Sequence, residues 1–305
     1  MKRSLLSILA ALGLTACAAT AVTLAGDAAP PGGPATLVGT FPWKADLPAF
    51  GGFSGLEVGA DGRSLLLVSD RTAILRGRIN RDARGAVTGV EASAPVGLLG
   101  EDGSRLAGLR ADSEGLAVNA EGTVFVSFEG RPAVRRLGRP GEPSTLLPVA
   151  PAWADLPLNS ALEALAVDEG GALYAIPEEE GEDGAFPVWR LPPGGDAWEE
   201  AFRLPRRDGF AVTGADIGPD GRLVVVERDF TGWAFRSRLR RVNLDGSGEQ
   251  TLWTTGAGDF DNLESVSVWR DDAGTHGGGL RATLVSDDNF RFFQRTELVD
   301  LRLPD

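Results

Sequence analysis

A motif recurs five times along the chain at nearly constant spacing, and this repeat limits the possible folds more than any other feature. The motif is a short strand, a turn such as Asp-Gly or Glu-Gly, a second apolar strand and then an acidic residue. Matching apolar residues stand 60, 49, 50 and 51 positions apart, at Val58, Val118, Val167, Ile217 and Val268. Repeats of about 40 to 50 residues that each hold four strands are typical of a β-propeller.

Each motif has the residue chemistry of a β-hairpin followed by further strands. The turns "ADGR", "AEGT" and "PDGR" place glycine where a tight turn needs a positive φ angle. Strand-like segments such as "AILRGRI" and "SRLRRVNL" follow, without an amphipathic helical stretch of useful length. The sequence therefore predicts an all-β fold, a β-propeller of four-stranded blades.

The spacing also predicts the number of blades and the way in which the ring closes. Five blades are favoured, while a sixth, degenerate blade in the long first interval stays open as an alternative. The N-terminal segment "TLVGTFPW", residues 36 to 43, is expected to complete the last blade as its outer strand.

The N-terminus has the pattern of an export signal. Lys2 and Arg3 precede the apolar run "SLLSILAALGLTA", which is too short to span a bilayer stably. The run ends in "LTAC", which resembles a bacterial lipobox and implies cleavage before Cys17 and lipidation of its thiol. Ordinary cleavage at "ACA", residues 16 to 18, is the alternative. We predict a signal peptide over 1–16, an Ala/Gly/Pro-rich tether over 17–36 and a propeller domain over 37–305.

Export and charge narrow the partners of the protein. Either cleavage places the domain on the periplasmic side of the envelope, and an acylated Cys17 would hold it at the membrane surface. This lipid anchor is the only membrane contact that we expect, since no later apolar run could form a transmembrane helix. The formal net charge of −13 disfavours nucleic acid and favours cations. We expect a monomer.

Acidic residues recur at the start of the repeats, where the innermost strand of each blade would line the central channel. Glu114, Glu163 and Glu264 share one repeat position, and Glu57 and Asp216 stand three residues further along their own repeats. Like charges that converge must take up protons, pair with arginine or bind a cation. Calcium, which takes about six to eight oxygen ligands, is the candidate cofactor for these five predicted metal ligands.

A second polar set follows the second strand of each hairpin. We predict that these residues bind ligand: Asp70, Glu129, Glu178, Glu227, Arg228, Asp287, Asp288 and Asn289. Asn159 and Asn262 add neutral oxygens near two of the acidic positions. Three interpretations stay open: pairing with backbone or with an arginine such as Arg71, Arg131 or Arg228, cation binding, and direct acid-base catalysis. No catalytic residue can be assigned.

The residue inventory excludes several kinds of active site. The single histidine, His276 in "THGGGL", stands in a glycine-rich turn, and the chain has no G-x-S-x-G nucleophile motif. A Ser-His-Asp triad and a zinc site of histidine and cysteine are therefore disfavoured. The basic segment "FRSRLRRV" is interpreted as a solvated outer strand, with an anion contact as the alternative. Trp233 stands apart from the other tryptophans because it lies in a loop after "ERDF".

Five motifs resemble those of a known family. They are "DSEGLAV" (112–118), "NSALEALAV" (159–167), "GRLVVVERDF" (221–230), "DNLESVSV" (261–268) and "LVSDDNF" (284–290). Together they look like the phytase-like domain family, also described as esterase-like activity of phytase. This resemblance implies an exported bacterial propeller that hydrolyses a small-molecule phosphoester or ester.

Two functions are compatible with the sequence. The first is a cation-dependent phosphoester or ester hydrolase with an acidic site at the central channel, where hydrolysis would be metal-assisted. The second is a non-catalytic propeller of the cell envelope that binds a ligand, a metal or a partner.

Overall fold

The computed structural model describes residues 31–157, 160–272, 274 and 278–305. These residues form 21 strands and two short 3₁₀ helices, Gly108–Arg110 and Pro151–Asp155. Cys17, Asn159 and His276 lie outside the described residues, so the predictions made for them stay predictions. In the described part of the chain, no helix has the length and apolar character needed to cross a membrane.

The strands form five antiparallel sheets, which are the blades of a propeller. The first strand of the chain, β1 (Thr36–Pro42), belongs to the last blade. Blade 1 contains β2 (Phe53–Val58), β3 (Ser64–Ser69), β4 (Ala73–Arg81), β5 (Val87–Ala92) and the short β6 (Val96–Gly97). Blade 2 contains β7 (Ser113–Val118), β8 (Val124–Phe128), β9 (Ala133–Arg136) and β10 (Thr145–Leu146). Blade 3 contains β11 (Leu162–Val167), β12 (Leu173–Pro177), β13 (Ala185–Leu191) and β14 (Glu199–Pro205). Blade 4 contains β15 (Ala211–Ile217), β16 (Leu223–Phe230), β17 (Phe235–Val242) and β18 (Gln250–Thr254). Blade 5 contains β19 (Asn262–Asp271), β20 (Gly279–Asp287), β21 (Glu297–Arg302) and β1.

The ring closes through the N-terminal strand, as the sequence predicts. β1 pairs antiparallel with β21, from Thr36 opposite Arg302 to Pro42 opposite Glu297. The long first interval holds β6, which pairs with β4 of the same blade. Five blades are therefore confirmed.

The hydrophobic core is divided among the five interfaces between neighbouring blades. One cluster, for example, joins Val226 and Leu239 of blade 4 to Val266 and Leu284 of blade 5. Because a blade packs against a neighbour on each face, both faces of its central strands are buried, and every residue of β8 and β12 is buried. This two-sided burial explains why the second strand of each repeat is almost continuously apolar.

The innermost strands approach one another closely around the channel. A Cβ atom on Gly115 would lie 2.6 Å from the backbone nitrogen of Leu165, and one on Gly214 would lie 2.3 Å from the backbone oxygen of Glu264. Only glycine fits at such backbone contacts. The five inner strands therefore form a narrow ring, and side chains that face the channel are forced together.

Candidate functional site

A β-bulge at the same place in every inner strand positions the acidic residues of the channel. Each of the five strands has one more residue than its partner just after its start, for example between Phe53 and Gly55 in β2 and between Leu263 and Ser265 in β19. The bulge brings the bulged residue and the residue three places later to the same side of the strand. The predicted ligands therefore fall into two layers, roughly 10 Å apart along the strand.

The upper layer lies at one mouth of the channel and contains both ends of the hairpins. Antiparallel pairing returns the end of each second strand to the start of the first. The backbone N–H of Glu129 donates to the carbonyl of Asp112 at 3.0 Å, and that of Asp70 donates to the carbonyl of Gly52 at 2.8 Å. The mouth thus combines the two sets of acids that the sequence presents separately. We call them the mouth carboxylates: Asp70, Asp112, Glu114, Glu129, Glu163, Glu178, Glu264 and Asp287.

One arginine neutralises part of this ring. Arg228 Nη1 lies 2.6 Å from Glu264 Oε1, and Arg228 Nη2 lies 2.9 Å from Glu178 Oε1. Arg228 Nη1 also donates to Asn262 Oδ1 at 2.8 Å. These negative charges raise the pKa of Arg228 against the effect of its burial. Arginine pairing, one of the three interpretations, therefore applies to the side of the mouth formed by blades 3, 4 and 5.

Strand register places Arg228, and not Glu227, at the mouth. Val212 is opposite Glu227 in blade 4, as Phe53 is opposite Ser69 in blade 1. The residue that reaches the mouth is the next one along the second strand. It is Arg228 in blade 4 and Asp70 in blade 1. Glu227 is fully buried between β16 and β17, where it forms ion pairs with Arg238 and Arg240.

The opposite side of the mouth holds a compact carboxylate cluster. Oxygens of Asp112, Glu114 and Glu129 all lie within 4.8 Å of one another. Glu114 is buried, and the other two are half-buried. One oxygen of Glu129, Oε2, is shielded from solvent and has no hydrogen-bond partner in the described part of the chain.

Burial and mutual repulsion raise the pKa values of these carboxyls, so that they hold their protons to a higher pH than usual. Burial raises the pKa of Glu114 well above its ordinary value, and the charges of Glu264 and Glu129 add to this effect. Burial likewise raises the pKa of Glu129 to about 7, although a hydrogen bond with Glu163 opposes the rise. The pKa of Asp112 is also raised by burial. Near neutral pH the cluster must therefore share protons or bind a cation.

Asp70 and the segment after β20 complete the mouth. Burial and the charge of Asp287 raise the pKa of Asp70 to about 7, and its buried Oδ1 has no hydrogen-bond partner among the described residues. Burial and the charge of Glu264 raise the pKa of Asp287 to about 8. Asp288 has a structural role, because its carboxylate accepts from the backbone N–H of Gly52 at 3.0 Å and from Thr296 Oγ1 at 3.1 Å.

The lower layer contains the other two predicted metal ligands, and neither of them belongs to the carboxylate cluster at the mouth. Glu57 accepts hydrogen bonds from the backbone N–H of Val118 at 3.1 Å and from Ser267 Oγ at 3.3 Å. Asp216 accepts from the backbone N–H of Val268 at 2.6 Å. These carboxyls tie neighbouring inner strands together. Burial raises the pKa of Glu57 well above its ordinary value and that of Asp216 to about 7.

The basic strand β17 is not a solvated outer strand, and that interpretation is wrong. It is the third strand of blade 4, between β16 and β18. Arg238 and Arg240 are buried and form ion pairs with Glu227, and Arg241 donates to the carbonyl of Pro304 at 2.8 Å. The two alternating arginines form an ion-pair network inside the blade and are not available to an external anion.

A cleft of about 940 Å³ opens beside the mouth, between the loops of blades 4 and 5. Glu178, Arg228 and Asn262 belong to both the cleft and the mouth. Asn289 also lines the cleft, as does Trp233. The sequence singled out Trp233 and Asn289 but did not indicate a cleft, because its walls come from loops that are distant in the chain.

Comparison with known families identifies the relationship. The profile of the phytase-like family, described as esterase-like activity of phytase, matches residues 48–290. The chain belongs to the phytase-like family. This match confirms the resemblance carried by the five motifs, and it covers all five inner strands of the propeller. No curated protein matches the chain.

Solved structures with similar backbones come from several kinds of protein. A gluconolactonase from Xanthomonas campestris is 15% identical, with a TM-score of 0.45 over 91% of this chain and 96% of the other. The PQQ-bound aldose sugar dehydrogenase of Streptomyces coelicolor is 15% identical, with a TM-score of 0.45 over 89% of this chain and 100% of the other. A catalytically inactive virginiamycin B lyase from Staphylococcus aureus is 11% identical, with a TM-score of 0.43 over 84% and 68%. Likeness at this level is no basis for assigning an activity.

Proposed function

We propose that this phytase-like protein is an exported, cation-dependent hydrolase of small phosphoesters or esters that acts at the acidic mouth of its channel. The observation that carries the proposal is the carboxylate cluster of Asp112, Glu114 and Glu129, whose oxygens lie within 4.8 Å of one another. The 940 Å³ cleft opens at the other side of the same mouth, beside Arg228 and Glu178. A polar centre beside a sizeable cleft is the usual arrangement of a small-molecule site.

The cluster fits a hard divalent cation such as calcium. Its donors are carboxylate oxygens, which Ca²⁺ prefers, and the buried Oε2 of Glu129 lacks any other partner among the described residues. The three carboxyls would supply part of the coordination shell, and water or substrate would supply the rest. A cation bound there supplies Lewis-acid polarisation of a phosphoryl or carbonyl oxygen.

Residues outside the cluster would move the protons. Asp70, with a pKa of about 7 and a free buried oxygen, is suited to accept the proton of an attacking water. Asp287, with a pKa of about 8, is mostly protonated at neutral pH and is suited to donate a proton to the departing oxygen. The oxygen of water adds to the phosphorus or carbonyl carbon as its proton passes to Asp70, the ester bond breaks, and the departing oxygen takes the proton of Asp287. Proton exchange with solvent then restores both carboxyls.

Cation binding is tested separately from chemistry. Glu129→Gln and Glu114→Gln should each weaken Ca²⁺ binding at least tenfold in calorimetry at pH 7.5, since each removes a negative ligand. Glu121→Gln, an exposed acid at the other end of the same hairpin, should leave the affinity unchanged. Equal affinities in all four proteins would exclude this cluster as the cation site.

Catalysis is tested with residues 31–305, which lack the signal peptide and most of the tether. Chelation should abolish turnover of a phosphoester or carboxyl ester, and Ca²⁺ should restore it. Asp70→Asn should lower kcat by about 10² to 10⁴ while Ca²⁺ affinity stays within threefold, because a general base and not a ligand is lost. Absence of turnover under every metal condition would refute the hydrolase.

Anchoring at the membrane is part of the proposal and rests on the sequence. The "LTAC" segment supports lipidation of Cys17, with the domain tethered as a monomer on the periplasmic side. Cells fed a labelled fatty acid should label the wild-type protein and not Cys17→Ser. Labelling of both proteins would contradict the lipobox interpretation.

A non-catalytic binding protein is the second candidate, and the hydrogen bonds within the mouth favour it. Asp112 bonds to Glu129, and Glu129 bonds to Glu163, so that shared protons alone could balance this side of the mouth. Such a protein would bind a ligand without turnover and would keep its affinity after Asp70→Asn.

A further inference from the structure

The cleft beside the mouth has an unusual concentration of exposed aromatic side chains. The tip of the β16–β17 hairpin contributes Phe230 and Trp233, which are 57% and 76% exposed, and the loop after β20 contributes Phe293, which is 66% exposed. Large apolar side chains that are exposed together around a concave surface usually mark a binding site.

The two aromatic walls come from different blades and are held in place from behind. Phe230 packs against Phe235, with ring centroids 5.0 Å apart, and Phe260 at the base of the cleft packs against the buried Trp253 at 5.1 Å. Gln294 Nε2 donates to Asp261 Oδ1 at 3.0 Å, which fixes the loop that carries Phe293. Both walls are therefore supported by neighbouring side chains.

The cleft also offers positive charge. Arg291 lines it, is exposed, and forms no ion pair among the described residues. The three other lining arginines are already paired: Arg206 with Glu180 at 2.5 Å, Arg228 with Glu178 at 2.9 Å and Arg295 with Glu297 at 3.0 Å. In a protein with a net charge of −13, an unpaired arginine at the opening of a cleft favours an anionic ligand.

We infer that the substrate of this site is an aryl phosphoester, with its aromatic group between the walls formed by Trp233 and Phe293. This inference rests on the proposed function, because the phosphoryl group is expected at the mouth, which the cleft reaches at Arg228. Aromatic walls bind a planar ring by stacking, and each such contact discriminates against an alkyl chain of similar size. Arg291 would attract the anionic group as the substrate enters.

Direct binding tests the inference independently of turnover. Calorimetry with Ca²⁺ present should show that 1-naphthyl phosphate binds at least tenfold more tightly than butyl phosphate. Trp233→Ala should remove most of this preference and leave butyl phosphate unaffected, whereas Trp233→Phe should keep it. Leu109→Ala is the control, since Leu109 is a large apolar side chain that is 58% exposed and does not line the cleft.

Charge is tested with the same probes. Arg291→Gln should weaken the binding of both phosphates several-fold, and 1-naphthyl acetate should bind more weakly than 1-naphthyl phosphate. Equal binding of the acetate and the phosphate would overturn the anionic part of the inference.

The outcomes separate the substrate class from the proposed function. A naphthyl preference that depends on Trp233, without turnover of any ester, would support the aromatic site and refute the hydrolase. Turnover of both phosphates with equal kcat/KM would support the hydrolase and overturn the aromatic site. Identical effects of Trp233→Ala and Leu109→Ala would overturn it as well.

Discussion

At the residue scale, the mouth is defined by how its charges are balanced. On one side, Arg228 holds Glu178 and Glu264 in ion pairs at 2.9 and 2.6 Å. On the other side, Asp112, Glu114 and Glu129 have no arginine among their partners in the described residues. The like charges of this ring are therefore balanced in two different ways, and only the side without an arginine is free to bind a cation.

Arg228 should be the most sensitive single residue of the mouth. Arg228→Met should destabilise the domain by about 3 kcal/mol, because it leaves two mostly buried carboxylates without their counter-charge. Urea unfolding at pH 7 measures the change. Arg78→Met is the control, since Arg78 pairs with Asp61 at 3.5 Å on the surface, and its loss should change the free energy of unfolding by less than about 1 kcal/mol. Equal effects of the two variants would contradict the assigned role.

At the element scale, the bulge in each inner strand decides which side chains face the channel. Without the extra residue, Glu114 and the residue three places later would lie on opposite faces of β7. The sequence alone could align the repeats but could not show these bulges, since a bulge is visible only in the pairing with the neighbouring strand. For the same reason it predicted both Glu227 and Arg228 to bind ligand, whereas strand register brings only Arg228 to the mouth.

The close approach of inner strands makes a second element-scale prediction. Gly214→Ala should destabilise the domain by about 1 to 3 kcal/mol, because the new Cβ would lie 2.3 Å from the backbone oxygen of Glu264 and would force the strands apart. Gly89→Ala, in β5, should be nearly neutral, because the closest atom to its new Cβ is 3.7 Å away. Thermal unfolding of both variants gives the comparison, and a neutral Gly214→Ala would show that the inner ring can expand.

At the scale of the whole molecule, closure of the ring depends on a strand from the other end of the chain. A domain that begins at Pro42 lacks most of β1 and exposes the edge of β21, whereas one that begins at residue 31 keeps the strand. We expect the shorter protein to be less stable by about 2 kcal/mol, a fall in Tm of roughly 4 to 8 °C. Equal Tm values would mean that β1 contributes little to closure.

The channel as a whole should make stability depend on pH in the absence of metal. The pKa of Asp216 rises from its ordinary value of 3.8 to about 7 on folding, so between these values the folded protein binds more protons than the unfolded chain. Its contribution to stability is thus complete below about pH 4 and is lost as the pH rises to about 7, by at most about 1.4 kcal/mol per pH unit.

Urea unfolding in chelator at pH 5, 6, 7 and 8 measures this dependence. The free energy of unfolding should fall with pH, and Asp216→Asn should show a smaller fall, since one such carboxyl is gone. A steeper fall in the variant would contradict the predicted sign. Added Ca²⁺ should stabilise the wild type more at pH 8 than at pH 5, because its carboxylate ligands must be deprotonated.

The sequence by itself predicted the propeller, favoured five blades over six, and indicated the closing strand and the family. These features follow from patterns repeated along the chain. Each hairpin forms between residues that are close in sequence, and alignment of the five repeats shows which positions are equivalent. It also identified most of the mouth carboxylates, because they recur at fixed repeat positions. It missed Asp112, although the motif "DSEGLAV" begins with this residue.

Tertiary structure alone decided which of these residues meet. It separated Glu57 and Asp216 from the mouth, paired Arg228 with two of its acids, buried the arginines of β17 and assembled an aromatic cleft from two distant loops. Such outcomes depend on register, on bulges and on the packing of one blade against the next, and these are relations between segments far apart in the chain. The composition of a repeat fixes which charges approach the axis, but only the geometry of the ring fixes what balances each of them.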